Sequence, residues 1–214
     1  MGGVINAETR DLWSTARQDG SAGHAHVAAL ERCAGDPRDI ADAAHYLCIL
    51  HARQPGVIEQ AAAQGDFPFA ERWLIEAAAG FAQERAYLVA LAAAAGPVPS
   101  TPGQASTEAA VAAQRHAIDT LAQSERRGCA LGAAIALVCD WPAIAAALAP
   151  AARRLGLEPP PPSLPQTGAT ANLVSMLAAN RATERAMLFG FEQLLAQHRG
   201  LLDLLEARSE ARAD

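Results

Sequence analysis

No stretch of this sequence gathers Val, Ile, Thr and Tyr into an alternating run of strand length, and nothing else in it constrains the fold as much. Apolar residues make up 51% of the chain but aromatics only 5%, and much of the apolar content is alanine, the best helix former. Small side chains on helices let backbones approach closely, so the expectation is an all-α protein. The 214 residues fit one domain, residues 1–214, folded as a single bundle of six to nine helices with mostly antiparallel neighbours. Ferritin-like or haem-oxygenase-like architecture is the nearest analogy, and analogy of fold does not carry function.

Punctuation residues set the helix limits. A short amphipathic piece covers about Glu8 to Arg17, and a helix runs from about Ala22 to Cys33 and ends at Gly35. Asp36-Pro37 supplies an N-cap and a first-turn proline for a helix to about Arg53, which Pro55-Gly56 breaks. A short helix at Val57 to Gln64 follows, and Asp66-Phe67-Pro68 opens a long one over Phe69 to Ala95, closed by Gly96-Pro97. Thr101-Pro102-Gly103-Gln104 reads as a capping box starting a helix from Pro102 to about Ser124. Gly128 marks the next break, and Asp140-Trp141-Pro142 reads as a restart between a helix ending at Val138 and one reaching Leu155. Residues 158–168 hold five prolines in eleven positions and cannot be helical, so they form a proline-rich connection over the outside of the bundle. One long helix, about Ala171 to His198, and a short one after Gly200 complete the chain.

Charge excludes several kinds of chemistry. All 17 basic residues are arginine. No side chain can form a Schiff base, and no phosphate loop ending in Gly-Lys-Ser/Thr exists. The formal net charge of −6, with scattered arginines, lacks the footprint of a nucleic-acid binder. The uncharged apolar run from Cys129 to Cys139 is far short of the ~20 residues that span a bilayer, and no signal peptide is visible before Glu8, Arg10 and Asp11. Cys33, Cys48, Cys129 and Cys139 have no metal or disulfide spacing and read as buried apolar residues of a reduced compartment. The expected location is the cytoplasm, with no nucleic-acid or membrane partner; a homodimer or a protein partner fits the composition.

The informative positions are charges that fall on a helix's apolar stripe. Leu74, Ala77, Phe81, Leu88 and Leu91 define one stripe, and Glu84 lies on it. Leu173, Leu177, Met187, Phe191 and Leu194 define another, with Asn180 and Glu184 in its middle. A buried carboxylate needs a partner. Three explanations stand: ion pairs with Arg85, Arg115, Arg181 or Arg185; a metal or polar-ligand site between helices; or carboxylates that are solvated because the stripe is phased differently. A metal site would use Glu84 and Glu184 with His45 or His116, and Asn180 as a further contact; it requires the two glutamates to lie within about 10 Å of each other. Phe81 and Met187, with Phe191, would line a pocket for an apolar metabolite. His45 and His51 point about 240° apart on one helix and cannot share an ion. The Glu-x-x-His pairs of carboxylate di-iron bundles are missing. Gly128, Gly132 and Ala133 make a small-residue face for close helix approach, and Trp141 reads as a wedge at a helix start.

His45-Tyr46-Leu47-Cys48, Gln54-Pro55-Gly56-Val57, Glu84-Arg85-Ala86-Tyr87-Leu88, Pro99-Ser100-Thr101-Pro102-Gly103-Gln104 and Ala113-Gln114-Arg115-His116-Ala117 carry a resemblance. Over Asp39 to Trp141 the chain resembles an uncharacterised bacterial family of all-helical proteins with no assigned function. The resemblance implies helices and brings neither a reaction nor a cofactor. Two functional expectations follow: a cytoplasmic helical-bundle binding or interaction protein, or a metal- or cofactor-dependent helical-bundle enzyme with an interhelical carboxylate and histidine site.

Overall fold

The computed structural model describes residues 7–32 and 36–213, so Cys33 and the expected helix end at Gly35 lie outside the described residues. Among the described residues there are nine α-helices and no strand: α1 (Ala7–Asp19), α2 (Ala25–Glu31), α3 (Pro37–His51), α4 (Val57–Gln64), α5 (Glu71–Ala95), α6 (Gln104–Ala122), α7 (Cys129–Arg154), α8 (Thr167–Leu177) and α9 (Arg181–Ala213). Short 3-10 turns at Ser21–Gly23 and Pro68–Ala70 lead into α2 and α5. Their buried apolar side chains form one contiguous core.

Most boundaries follow the local chemistry. Asp36 accepts from the Arg38 amide ahead of Pro37, as its N-cap position demands. Gly65 ends α4 in the left-handed conformation, with φ of 63°. Four boundaries differ from expectation, one being that α8 opens at Thr167, inside the stretch 158–168 expected to hold no helix, because the last proline is Pro165. The helix after Gly128 does not restart at Asp140: α7 runs unbroken through Pro142 and Pro150. Pro142 is exposed, so the bond it removes opens towards the surface while the rest of the helix is clamped by neighbours. Thr101 does not cap α6; Gly103, at φ 76°, is the N-cap, and Thr101 is drawn away by two arginines of α9. The last helical region divides at Asn180 instead of at Gly200. Asn180 ends the α8 turn and caps α9, and α9 passes through Gly200, whose missing side chain makes room for Gln114.

α7 is the central element. By length and composition it is apolar enough to cross a membrane, with a mean hydropathy of 1.8, and 72% of that window is buried inside the protein. Its most extensive partner is α9. Gly128 faces Thr183, Gly132 faces Met187, and Asp140 meets His198, a pairing that advances in the same direction along both helices. The pair is therefore parallel, unlike the mostly antiparallel neighbours expected of helices joined by short loops, because α8 lies between the two in the chain. A Cβ at Gly132 would strike the Met187 carbonyl, and one at Gly190 the Cys129 carbonyl. Gly128 and Gly132 thus serve the close approach expected of them, and Gly190 completes it from the other side.

A parallel pair needs a return path. α7 is about 39 Å long at 1.5 Å per residue. α8 spans only about 16 Å, so the proline-rich segment, extended at about 3 Å per residue, covers the rest of the return. It crosses α5 at Gly80, where a Cβ would meet the Ser163 carbonyl. The Trp73 indole N–H then donates to Thr170 at 3.0 Å, tying α8 to α5.

A cleft with a carboxyl floor and a buried histidine relay

Glu84 is buried, as its place on the α5 stripe predicts, but no arginine neutralises it. Arg85 points elsewhere, donating to the His51 carbonyl and to Glu59; Arg115 holds Asp119 and the Leu50 carbonyl. These two guanidiniums satisfy carbonyls at the end of α3 that have no helical donor. Glu84 instead receives the Trp141 indole N–H on Oε2 at 2.9 Å. Burial pushes its carboxyl above the ordinary value, opposed only by that hydrogen bond. Trp141 is therefore no wedge at a helix start but a fully buried donor in the middle of α7, stacked edge-on against Phe81 and His51.

Above this pair lies a cleft of about 780 Å³, walled by α1, the middle of α7 and the proline-rich segment. Trp13, Pro142, Ala146, Pro160 and Pro162 give it an apolar lining, and Glu84 sits at its floor. Ser163, whose buried hydroxyl has no partner, lines the same cleft.

Beneath the cleft wall runs a chain of hydrogen bonds that the sequence did not announce. The Ser21 amide and hydroxyl donate to the two oxygens of Asp140 at 2.7 and 2.6 Å. His198 Nδ1 is 2.6 Å from Asp140 Oδ2, and His198 Nε2 is 2.9 Å from His51 Nε2. All four residues are buried. Burial pushes the Asp140 carboxyl up, but the His198 bond and charge and the two Ser21 donors outweigh it and hold it below its ordinary value. The carboxylate accepts from His198 Nδ1–H, and the facing Nε2 atoms of His198 and His51 share a single proton between them. Burial, with His198, Arg115 and Arg85 nearby, keeps His51 well below the ordinary histidine value and so neutral. Because Ser21 donates to the aspartate and not to an imidazole, the set lacks the nucleophile-to-base contact of a hydrolytic triad. Gly20 is required here, since a Cβ would strike Asp140 Oδ1.

The other expected site residues separate. Asn180 is exposed and spends its side-chain oxygen on the amides of Ala182 and Thr183. Glu184 is half-buried in the first turn of α9, where a carboxylate suits the helix dipole. It directly follows Thr183, which lies against Gly128, whereas Glu84 is fixed to Trp141, thirteen residues or about 20 Å further along α7. The two glutamates cannot share an ion. His116 is exposed, and His45 Nε2 donates to the Gly96 carbonyl at 2.7 Å. Phe81 is a wall of the histidine cluster, and Met187 fills the α7–α9 seam, so neither lines the cleft. Burial raises the thiols of Cys48, to about 11, and Cys139, so neither behaves as a nucleophile.

Among the described residues one group, His24, Asp203 and Glu206, has ligand atoms close enough for a metal. His24 does not fit. Its Nδ1 accepts the His26 amide at 3.1 Å, which places the ring proton on Nε2, facing Asp203 at 3.0 Å. A metal-bound histidine has the reverse arrangement, with the free nitrogen donating.

The fold and site define an all-helical protein with an apolar cleft floored by one buried carboxyl and backed by an Asp–His–His relay. Residues 16–213 match the family of unknown function DUF6975, and the chain belongs to that family. The match extends well beyond the Asp39–Trp141 stretch in which the resemblance is legible. No curated protein and no solved structure matches the chain.

Proposed function

We propose that the protein is a binding protein whose ligand is a small, largely apolar molecule held in the cleft over Glu84. One observation carries this reading: an open cleft of about 780 Å³, within the size range of small-molecule sites, has in its lining the buried carboxyl of Glu84, to which no described residue brings a positive charge. A buried carboxyl costs stability, and a core that needed only packing would place an apolar residue there. The separation of Glu84, bonded to Trp141, from Glu184, which follows the Thr183 that meets Gly128, about 20 Å along α7, weighs against the metal-dependent alternative.

Native mass spectrometry on untagged protein, followed by thermal melts with added ligands, tests the reading. The expected result is a retained small molecule or a ligand-dependent rise in Tm, both lost in Ala146→Trp, which fills the cleft from an exposed position on α7. Equal binding by that variant would move the site elsewhere. The same spectra report stoichiometry, and with it the homodimer expectation.

A further inference from the structure

Resting on the cleft reading, the geometry points to an organic cation as the ligand: a primary or substituted ammonium group seated on Glu84, with an aliphatic or aromatic body along the proline and alanine walls. The carboxyl is oriented for this. Trp141 occupies Oε2, no described residue donates to Oε1, and Glu84 lines the cleft. The residue is 7% exposed, so its one approachable oxygen is reached only from that side.

The charges on the walls agree. The cleft contains two acidic residues, Glu84 and Asp140, against a single arginine, Arg17, which sits exposed at the rim. Arg85, the nearest candidate in sequence, is committed to Glu59 and the far side of α5. An anionic ligand would be driven against an uncompensated carboxylate. A neutral one would leave that charge without a partner, whereas an ammonium supplies the missing countercharge in a dry setting where it counts most. Trp13, half-buried in the wall, presents an aromatic surface to which cations are drawn.

The test compares three probes of matched body on the wild-type chain at pH 7: n-octylamine, 1-octanol and octanoate, with binding read by calorimetry and by the fluorescence of Trp141 beside the carboxyl. Octylamine is expected to bind at least tenfold more tightly than octanol, with octanoate weakest. Glu84→Gln, which keeps an acceptor for the indole, is expected to erase the preference for the amine while octanol binding persists. Octanol or octanoate binding as tightly as the amine overturns the cation and leaves the cleft standing. Binding of none of the three overturns both. The three-probe comparison needs no variant, so a failure of Glu84→Gln to fold does not compromise it.

Discussion

Asp140 is held by three donors, and its environment shows how a single buried charge can organise a core. His198 supplies one of those donors, and His198→Phe leaves a buried carboxylate short of it. The expected loss is roughly 3 kcal/mol of unfolding free energy, measured by guanidinium titration. A change below about 0.5 kcal/mol would mean that the relay is incidental. The histidines add a pH dependence whose sign is fixed. His51 is held below its ordinary value by burial, as is His26, so the unfolded chain takes up protons first as pH falls below about 6.5. Stability present above that pH is lost progressively beneath it, and Asp140 adds a further loss only below about 4, where the unfolded carboxylate protonates. Denaturation series between pH 8 and 5 should show the decline in the wild type and a shallower one in His51→Gln. Parallel slopes would exclude His51 as its source. The apolar faces carry these histidines as they carry Glu84: His198 continues the line of Leu194, Leu195, Leu201 and Leu202, and His51 that of Leu47 and Leu50.

Elements meet where glycine lets them. The α7–α9 seam depends on Gly132 and Gly190, each lying against a carbonyl of the other helix, and backbone cannot yield as a flexible side chain would. Gly190→Ala is expected to destabilise by ~3 kcal/mol, the upper end of overpacking costs, although alanine is the better helix former. Gly168, with open space around it in α8, provides the control: Gly168→Ala should be neutral or stabilising in the same melts. Helix starts and stops were legible wherever a cap or a proline acted alone, as at Asp36-Pro37 and over Val57–Gln64. They were misread where a tertiary partner outbid the local signal. Pro142 is tolerated at an exposed position of a helix otherwise packed into the core, and Thr101 is claimed by Arg208 and Arg212 before it can cap α6.

Across the whole molecule, the last turns of α9 close the fold. Arg208 binds both oxygens of Asp42 and the Pro99 carbonyl, and Arg212 bridges Asp39, Asp42 and Thr101, so the end of the chain pins the start of α3 and the Pro-Ser-Thr-Pro-Gly-Gln loop together. In that loop the Pro99 carbonyl and the Thr101 hydroxyl accept from these two guanidiniums. Arg208→Ala removes the two-pronged partner of the buried Asp42 and leaves it with Arg212 alone, at an expected cost of ~3 kcal/mol, the lower end for a broken buried pair, read as a lowered denaturation midpoint with an unchanged slope. Arg208→Met, paired with Asp42→Leu, should recover much of that loss, because a packed apolar pair replaces a buried ionic one. If the double variant is no better than Arg208→Ala, the network is more than a neutralised pair.

What the sequence by itself determined is the helical class, the close α7 approach at Gly128 and Gly132, and the burial of Glu84, since each follows from periodicity or residue size within one segment. Tertiary structure alone decided the partners. Glu84 found an indole fifty-seven residues away, Asp140 a serine at a separation of 119 and a histidine at 58, and Asn180 and Glu184 were set at a helix end far from any shared site. A helix's pattern states which face is covered, but which side chains meet there depends on the crossing of elements distant in the chain, and here on a proline-rich return that makes the two central helices run parallel.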